Sequence, residues 1–217
     1  MTSEQTSIAE QAAEALDLVY SAKTPEELAT AYAKWAASYD GETAALGYYL
    51  PFQITAWVAR YVPAGEGPLL DAGCGTGLSG PALKALGYND IAGLDLSADM
   101  LAIAGSRGAY SELKQAELGS HLPWPDGYFR AFFSTGVFTI GHAPAAGLYE
   151  LARITEKGGH AIFTVRDQVL TSGGFHEVFA ELARRRTWRP VEESGWFRAY
   201  AVADPDALVK TFVFEIM

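Results

Sequence analysis

Residues Leu69 to Gly77 read LLDAGCGTG. The reading of this stretch decides the fold. An apolar run closes on an acid, Asp71, and passes at once into glycines at 73, 75 and 77. A buried parallel strand that turns sharply into a helix needs this pattern. The apolar residues make the strand, and glycine accepts positive φ and lets another group approach the backbone. The helix that follows opens with free N–H groups and a positive dipole end.

Outward from this turn, strands and helices alternate. Strands are expected at about 67–72, 91–94 with Asp95 at the tip, 111–116, 130–134, 160–165, 189–202 and 211–217. Helices are expected between them at 78–86, 97–105, 144–155 and 174–187. Gly87 is placed as a left-handed cap, and Ser97 as an N-cap with Asp99 in the first turn. The alternation predicts an α/β fold with a doubly wound, mostly parallel, seven-stranded Rossmann-like sheet. Residues 1–60 read as a helical lid within the same domain, over a core at 61–217. Ile8, Ala12, Ala15, Leu16 and Val19 recur at helical spacing. Thr24-Pro25-Glu26-Glu27 starts a second helix, expected to reach Tyr39 and end in a turn at Asp40-Gly41. A further helix is expected at 51–61.

Composition narrows the function. The chain has 217 residues, 49% hydrophobic and 19% charged, enough for one full core. A net charge of −10 opposes a phosphate backbone, so nucleic acid is not the expected partner. The run Arg184–Arg186 with Arg189 reads as a solvated helix end. The single cysteine, Cys74, forms no internal disulfide and fits a reducing compartment. The polar N-terminus MTSEQTSIAEQ carries no export pattern, and no stretch is apolar for the ~20 residues a bilayer needs. A cytoplasmic monomer away from membranes is expected.

In such sheets ligands bind beyond the carboxyl ends of the strands. The spacing Gly73-x-Gly75-x-Gly77 departs from the dinucleotide pattern G-x-G-x-x-G, whose last position here is Leu78. A carboxylate at Asp71 repels a diphosphate and attracts a cationic amine. Asp95 follows Gly75 by twenty residues, at the place where an acid meets ribose hydroxyls. Leu96, Met100 and Leu101 offer an apolar face for a base, and Glu117 with Leu118 stands where the adenine edge is met. A ligand with ribose, adenine and an ammonium but no phosphate is S-adenosylmethionine. A nicotinamide-dependent oxidoreductase is disfavoured by the same spacing.

The chain resembles the class I S-adenosylmethionine-dependent methyltransferases. LLDAGCGTG resembles their first motif, GLDLSADML their second, and LPWPDGYFRAFFSTGVF and ITEKGGHAIFTV the segments through the fourth and fifth strands. YAKWAASYD, STGVFT, GHAP and FTVR further resemble the methyltransferase-like subfamily of the Williams–Beuren syndrome region. The resemblance implies that Asp71, Gly73, Cys74 and Gly75, with Thr76 and Gly77, hold the methionine end of the cofactor. Asp95 takes the ribose, and Leu96, Met100, Glu117 and Leu118 the adenine. Ser134 and Thr135 approach from the fourth strand. Gln115-Ala116-Glu117 stands where Gly-Asp-Ala is common, which leaves Gln115 and Glu117 as alternatives at the adenine. Arg130 and Lys157 depart from a usual aspartate and a usual proline.

Tyr32, Trp35 and Tyr39 share a helix face and read either as a cover over the sulfonium or as a packing seam. His142 reads as a general base or substrate anchor, or as a helix cap before Pro144. Tyr48 and Phe138 extend the expected acceptor wall. Arg166 reads as an anchor for an anionic acceptor or as the surface partner of Asp167 or Glu177. No His, Cys, Asp or Glu grouping has metal-ligand spacing. The expected activity is methyl transfer to O, N or S of a small molecule. A cofactor-binding sensor or scaffold and a protein-directed methyltransferase are the alternatives.

Overall fold

The computed structural model describes residues 3–217, with side chains from residue 10 onward and that of Ile8. The extreme N-terminus, on which part of the export reading rests, lies outside them. Four helices come first: α1 (Ser3–Ser21), α2 (Pro25–Trp35), α3 (Tyr39–Ala45) and α4 (Leu50–Tyr61). The alternating part follows as β1 (Leu69–Ala72), α5 (Ser79–Ala85), β2 (Ile91–Asp95), α6 (Ala98–Ser106), β3 (Glu112–Gln115) and β4 (Phe129–Phe138). It continues through α7 (Gly147–Arg153), β5 (Thr155–Arg166), α8 (Asp167–Ser172), α9 (Phe175–Arg184), β6 (Trp188–Glu193), β7 (Phe197–Arg198) and β8 (Leu208–Ile216).

The sheet order is β3-β2-β1-β4-β5-β8-β6, and the two-residue β7 adds an eighth strand on β8. Strands β1 to β5 pair in parallel, whereas β8 runs antiparallel to β5 and β6 antiparallel to β8. The chain order reverses across β1 and β4, the switch point where such sheets open a ligand crevice.

Alternation along β1 sorts the core. Leu69 packs with Ile54, Val58 and Val62 of α4 and its approach, Leu83 of α5, and Phe133 on one face. Leu70 and Ala72 pack with Leu148 and Leu151 of α7 and Leu182 of α9 on the other. Phe163 centres that second face, stacked with Phe132, Trp188, Phe212 and Phe214. A fully buried aromatic of this kind is worth about 3–5 kcal/mol when truncated to alanine. The layers fix where the strand ends stand, and with them the site.

The expected caps are present. Thr24 accepts from Glu27 N with Pro25 at the first helical position, and Ser97 accepts from Met100 N. Gly87 has φ 99° at the end of α5. Three expectations need correction. The second helix stops at Trp35, not Tyr39, and Asp40-Gly41 lies inside α3 instead of breaking the chain. There Asp40 accepts from Thr76 Oγ1 at 2.6 Å and pairs with Arg107, so tertiary contacts override the turn propensity. Strand β4 runs four residues past Ser134, bending at a register shift between Ser134 and Phe138. Helix α8, absent from the sequence reading, follows β5 directly.

Candidate functional site

Beyond the carboxyl ends of β1 and β2 lies a cavity of about 460 Å³. Its size is that of small-molecule sites in general. The turn after β1 makes its floor. Gly75 has φ 54°, and a Cβ built on it would meet no atom within 4 Å, so its open side faces the cavity. Gly75 N donates to Asp95 Oδ2 at 2.8 Å, and Ser97 N donates to Asp95 Oδ1 at 2.9 Å. Two amides thus hold the carboxylate at the cavity wall. Burial raises its pKa, while the Ser97 and Gly75 amides pull it down.

Leu96 lines the same cavity from just past β2, Met100 from the first turn of α6, Glu117 and Leu118 from just past β3, and Thr135 from β4. Gln115 does not: its Nε2 donates to Leu96 O at 2.9 Å. Of the two residues left open at the adenine position, Glu117 is therefore the one at the cavity.

Helices α2 and α3 roof the space with Tyr32 and Tyr39, and Tyr48 reaches in from the turn before α4. Trp35 lies behind them. It is stacked on Tyr32, edge-on to Tyr39, and its Nε1 donates to Glu42 at 2.7 Å. Gly136, at φ 72°, makes room for Tyr48: a Cβ there would stand 2.2 Å from the Tyr48 hydroxyl oxygen. Burial raises the pKa of all three tyrosines, so they are neutral hydroxyls.

His142 lines the cavity beside them. Its Nδ1 stands 2.7 Å from Ile140 O, an atom that only accepts, so Nδ1 carries the proton. Nε2 is then an acceptor, and Tyr32 Oη donates to it at 2.7 Å. Burial lowers the His142 pKa, partly offset by the bond to Ile140. The imidazole is neutral, in one tautomer, with its free lone pair on the Tyr32 hydroxyl. A cap is not what it provides, because α7 starts at Gly147 after Ala146.

Other residues named from the sequence stand elsewhere. Asp71 is 2% exposed and accepts from Tyr110 Oη at 2.8 Å, outside the cavity lining. Burial pushes its carboxyl up to about 7, with the Tyr110 bond opposing and Asp95 adding to the rise. Cys74, Thr76 and Gly77 support the turn from behind. Cys74 N donates to Leu94 O, Gly77 N to Cys74 O, and Thr76 Oγ1 to Asp40 of α3. Ser134 Oγ donates to Ala72 O at 2.7 Å and ties β4 to β1.

Phe138, Trp35 and Arg166 line a second, smaller space that adjoins the first across Tyr32, Tyr39, Tyr48, Gly136 and His142. Phe138 is 1% exposed and also belongs to the aromatic core around Phe163. Arg166 pairs with Asp204, not with Asp167 or Glu177.

The sequence reading missed Lys23, Thr24, Pro25 and Leu28 in the lining, along with Val137 and Pro144. The Thr24-Pro25 helix start was visible. What it faced was not. Among the described residues no group of three or more His, Cys, Asp or Glu is placed to hold a metal, and no helix is long and apolar enough to cross a membrane.

Comparison with known proteins follows this geometry. A family model described as "Methyltransferase domain" matches residues 70–163. Methyltransferase-like protein 27 of Homo sapiens is 35% identical over 141 residues, covering 62% of this chain and 56% of that protein. The 18S rRNA (guanine(1575)-N(7))-methyltransferase of Saccharomyces cerevisiae is 41% identical over 66 residues, covering 30% of this chain and 24% of that protein. The chain thus spans little more than half of the human relative and a quarter of the yeast one. Among solved structures, a chain of the Haloferax volcanii complex of the Trm112 methyltransferase activator with a methyltransferase superposes with a TM-score of 0.65 at 17% identity, covering 85% of this chain and 97% of that one. A TehB-like S-adenosylmethionine-dependent methyltransferase of Corynebacterium glutamicum gives 0.62 at 19% identity, covering 86% and 98%.

Proposed function

We propose that this chain acts as a class I S-adenosylmethionine-dependent methyltransferase, the kind of protein its matches resemble, and that it methylates an O, N or S atom of a small molecule. The observation that carries the reading is the shape of the site. A cavity of about 460 Å³ with a fixed carboxylate narrows, past the tyrosines and His142, into a space of about 50 Å³. A polymer segment does not fit so small an inner end. The net charge of −10 also works against an RNA acceptor.

The donors present suit the cofactor. Asp95, held by two amides, is set to accept from ribose hydroxyls. Leu96, Met100 and Leu118 supply an apolar wall for the base, and Glu117 an acceptor at its edge. Tyr32 and Tyr39 present aromatic surface where a cation is favoured. The open face of Gly75 leaves room for close approach to the backbone. S-adenosylmethionine, when bound, supplies a methyl carbon on a positively charged sulfur leaving group.

This chain's residues would align the acceptor, exclude water and manage its proton. Alignment alone is worth about 7–11 kcal/mol. Helices α1 to α3 act as the lid, with α3 latched to the glycine turn through Asp40, Thr76 and Arg107. Where the acceptor loses a proton, Tyr32 Oη takes it while passing its own to His142 Nε2. The imidazolium then carries the positive charge that the site loses from sulfur, so the net charge of the pocket is unchanged. His142 is the base and Tyr32 its relay, a refinement of His142 acting alone.

The test uses radiolabelled S-adenosylmethionine with the purified chain and a cell extract split into small-molecule, RNA and protein fractions. Label is expected in the small-molecule fraction. Label in RNA or protein alone would overturn the small-molecule reading. Cofactor binding with no labelled fraction would favour a sensor or scaffold.

A further inference from the structure

The smaller space has a composition that the methyl-donor site does not explain. Its volume is about 50 Å³, room for a functional group and not for a whole molecule. Tyr20, Tyr32, Tyr39, Tyr48 and Tyr200 contribute to its wall, and Arg166 stands among them. Arg166 is 8% exposed. One terminal nitrogen donates to Tyr20 Oη at 3.1 Å, the other to Asp204 Oδ2 at 3.2 Å, and the guanidinium lies 5.4 Å from the Tyr20 ring centre. Its Nε is buried with no partner among the described residues, and so is Thr139 Oγ1 on the same wall.

Burying a guanidinium is costly unless its charge is paired and its donors are used. Among the described residues the one carboxylate on it comes from a side chain 40% exposed, on backbone at φ 39°. A fork of donors with an unused N–H, on the same wall as an unused hydroxyl, suits an oxyanion. We propose that this pocket takes the carboxylate of a small methyl acceptor, with Arg166 as its counter-ion and Thr139 as a second donor. The proposal rests on the methyltransferase reading and names the acceptor's chemical class.

Two observations select a carboxylate over a phosphate. A space of about 50 Å³ suits the flat, three-heavy-atom group better than a tetrahedral one. Asp204 already offsets the Arg166 charge, so a dianion would leave the pocket with two net negative charges, whereas a carboxylate leaves one. The wall shared with the large cavity explains the placement. An acceptor anchored on Arg166 extends its body past Tyr48 and Gly136 toward Tyr32 and His142, where its nucleophile meets the proton relay.

The experiment is calorimetry on the full chain saturated with S-adenosylhomocysteine, at neutral pH. Benzoate and phenylacetate are titrated against benzamide and phenylacetamide, which differ from the acids in charge. Each acid is expected to bind at least about tenfold tighter than its amide, a difference of about 1.4 kcal/mol. The preference is expected to vanish in Arg166→Gln and to be partly restored in Arg166→Lys. Asp204→Asn, on an exposed side chain, is expected to tighten the acids about threefold or more and leave the amides unchanged. Equal binding of acid and amide, no binding of either, or a preference that survives Arg166→Gln would overturn the assignment. If Arg166→Gln does not fold, unchanged acid affinity in Asp204→Asn overturns it instead. Phenyl phosphate binding tighter than both acids would replace the carboxylate by a phosphate. Failure of S-adenosylhomocysteine to bind would overturn the methyltransferase reading first, before any acceptor probe is added.

Discussion

The large cavity and the tyrosine-lined space beside it share five residues, yet the floor of the first and the wall of the second are assembled from different material. The floor is local. Gly75 lies in the turn after β1 and Asp95 ends the adjacent β2, and one amide-to-carboxylate bond joins them. The small space is gathered from Tyr20 of α1, Tyr32 of α2, Phe138 of β4, Arg166 of β5 and Tyr200 before β8. Under the proposed function the contrast makes binding the methyl donor and choosing the acceptor separable tasks, carried by a short motif and by dispersed side chains.

Substitutions on the two sides should therefore separate cleanly. The largest effect is expected on the acceptor side. His142→Ala should lower turnover at least about 100-fold, the scale of a lost general base, with S-adenosylhomocysteine affinity unchanged. Turnover at the wild-type level would remove His142 from the proton path. Because burial depresses the His142 pKa below 6.5, wild-type activity should hold through pH 6.5 and fall only as pH drops through the depressed value.

On the floor, Asp95→Ala should weaken S-adenosylhomocysteine by about 1.5–3 kcal/mol, the scale of hydrogen bonds to a charged group. Calorimetry that finds full affinity would dissolve the distinction between the two regions. A smaller pair of effects comes from the glycines. Gly75→Ala forces a left-handed alanine, at a cost of about 1–2 kcal/mol, and puts a methyl into the open side of the floor. It should reduce cofactor affinity. Gly136→Ala pays the same backbone cost but displaces Tyr48, so it should raise the acceptor's KM more than the cofactor's Kd.

The last effect lies beneath the floor and is read in stability, not in binding or turnover. Asp71 titrates near 7 in the fold, against about 3.9 in an unfolded chain. The folded protein keeps a proton that the unfolded chain releases. The stabilising contribution is present below pH 4 and is lost as pH rises through 7. Asp71→Asn retains an acceptor for Tyr110 without titrating. Its melting temperature should gain on wild type between pH 4 and 7.5. A difference independent of pH would contradict the buried, raised carboxyl.

Legibility in the sequence follows the same division. The glycine turn, the caps at Thr24 and Ser97, and the alternation of strands were readable because each depends on residue type at one or two adjacent positions. The break expected at Asp40-Gly41 failed for the opposite reason. Arg107 and Thr76, far along the chain, hold Asp40 in a helix that local propensity does not favour. Gly136 stands in the sequence only as a glycine just past the expected fourth strand, and its purpose depends on where Tyr48 lies. Arg166 reads from the sequence as a strand-end residue with its partner close by, whereas that partner stands at Asp204.

The sequence by itself determined the doubly wound sheet, the switch point and the glycine turn that stands there. Positive φ at glycine, strand alternation and side-chain caps are properties of short segments. Only the tertiary structure decided that His142 is a neutral imidazole joined to Tyr32, that Asp71 faces Tyr110, and that Arg166 lies buried among tyrosines. The first and the last arise from the packing of the N-terminal helices and the β8 approach over the strand ends, the second from the turn between α6 and β3. A pocket made by contacts between residues more than a hundred positions apart leaves no local pattern to read.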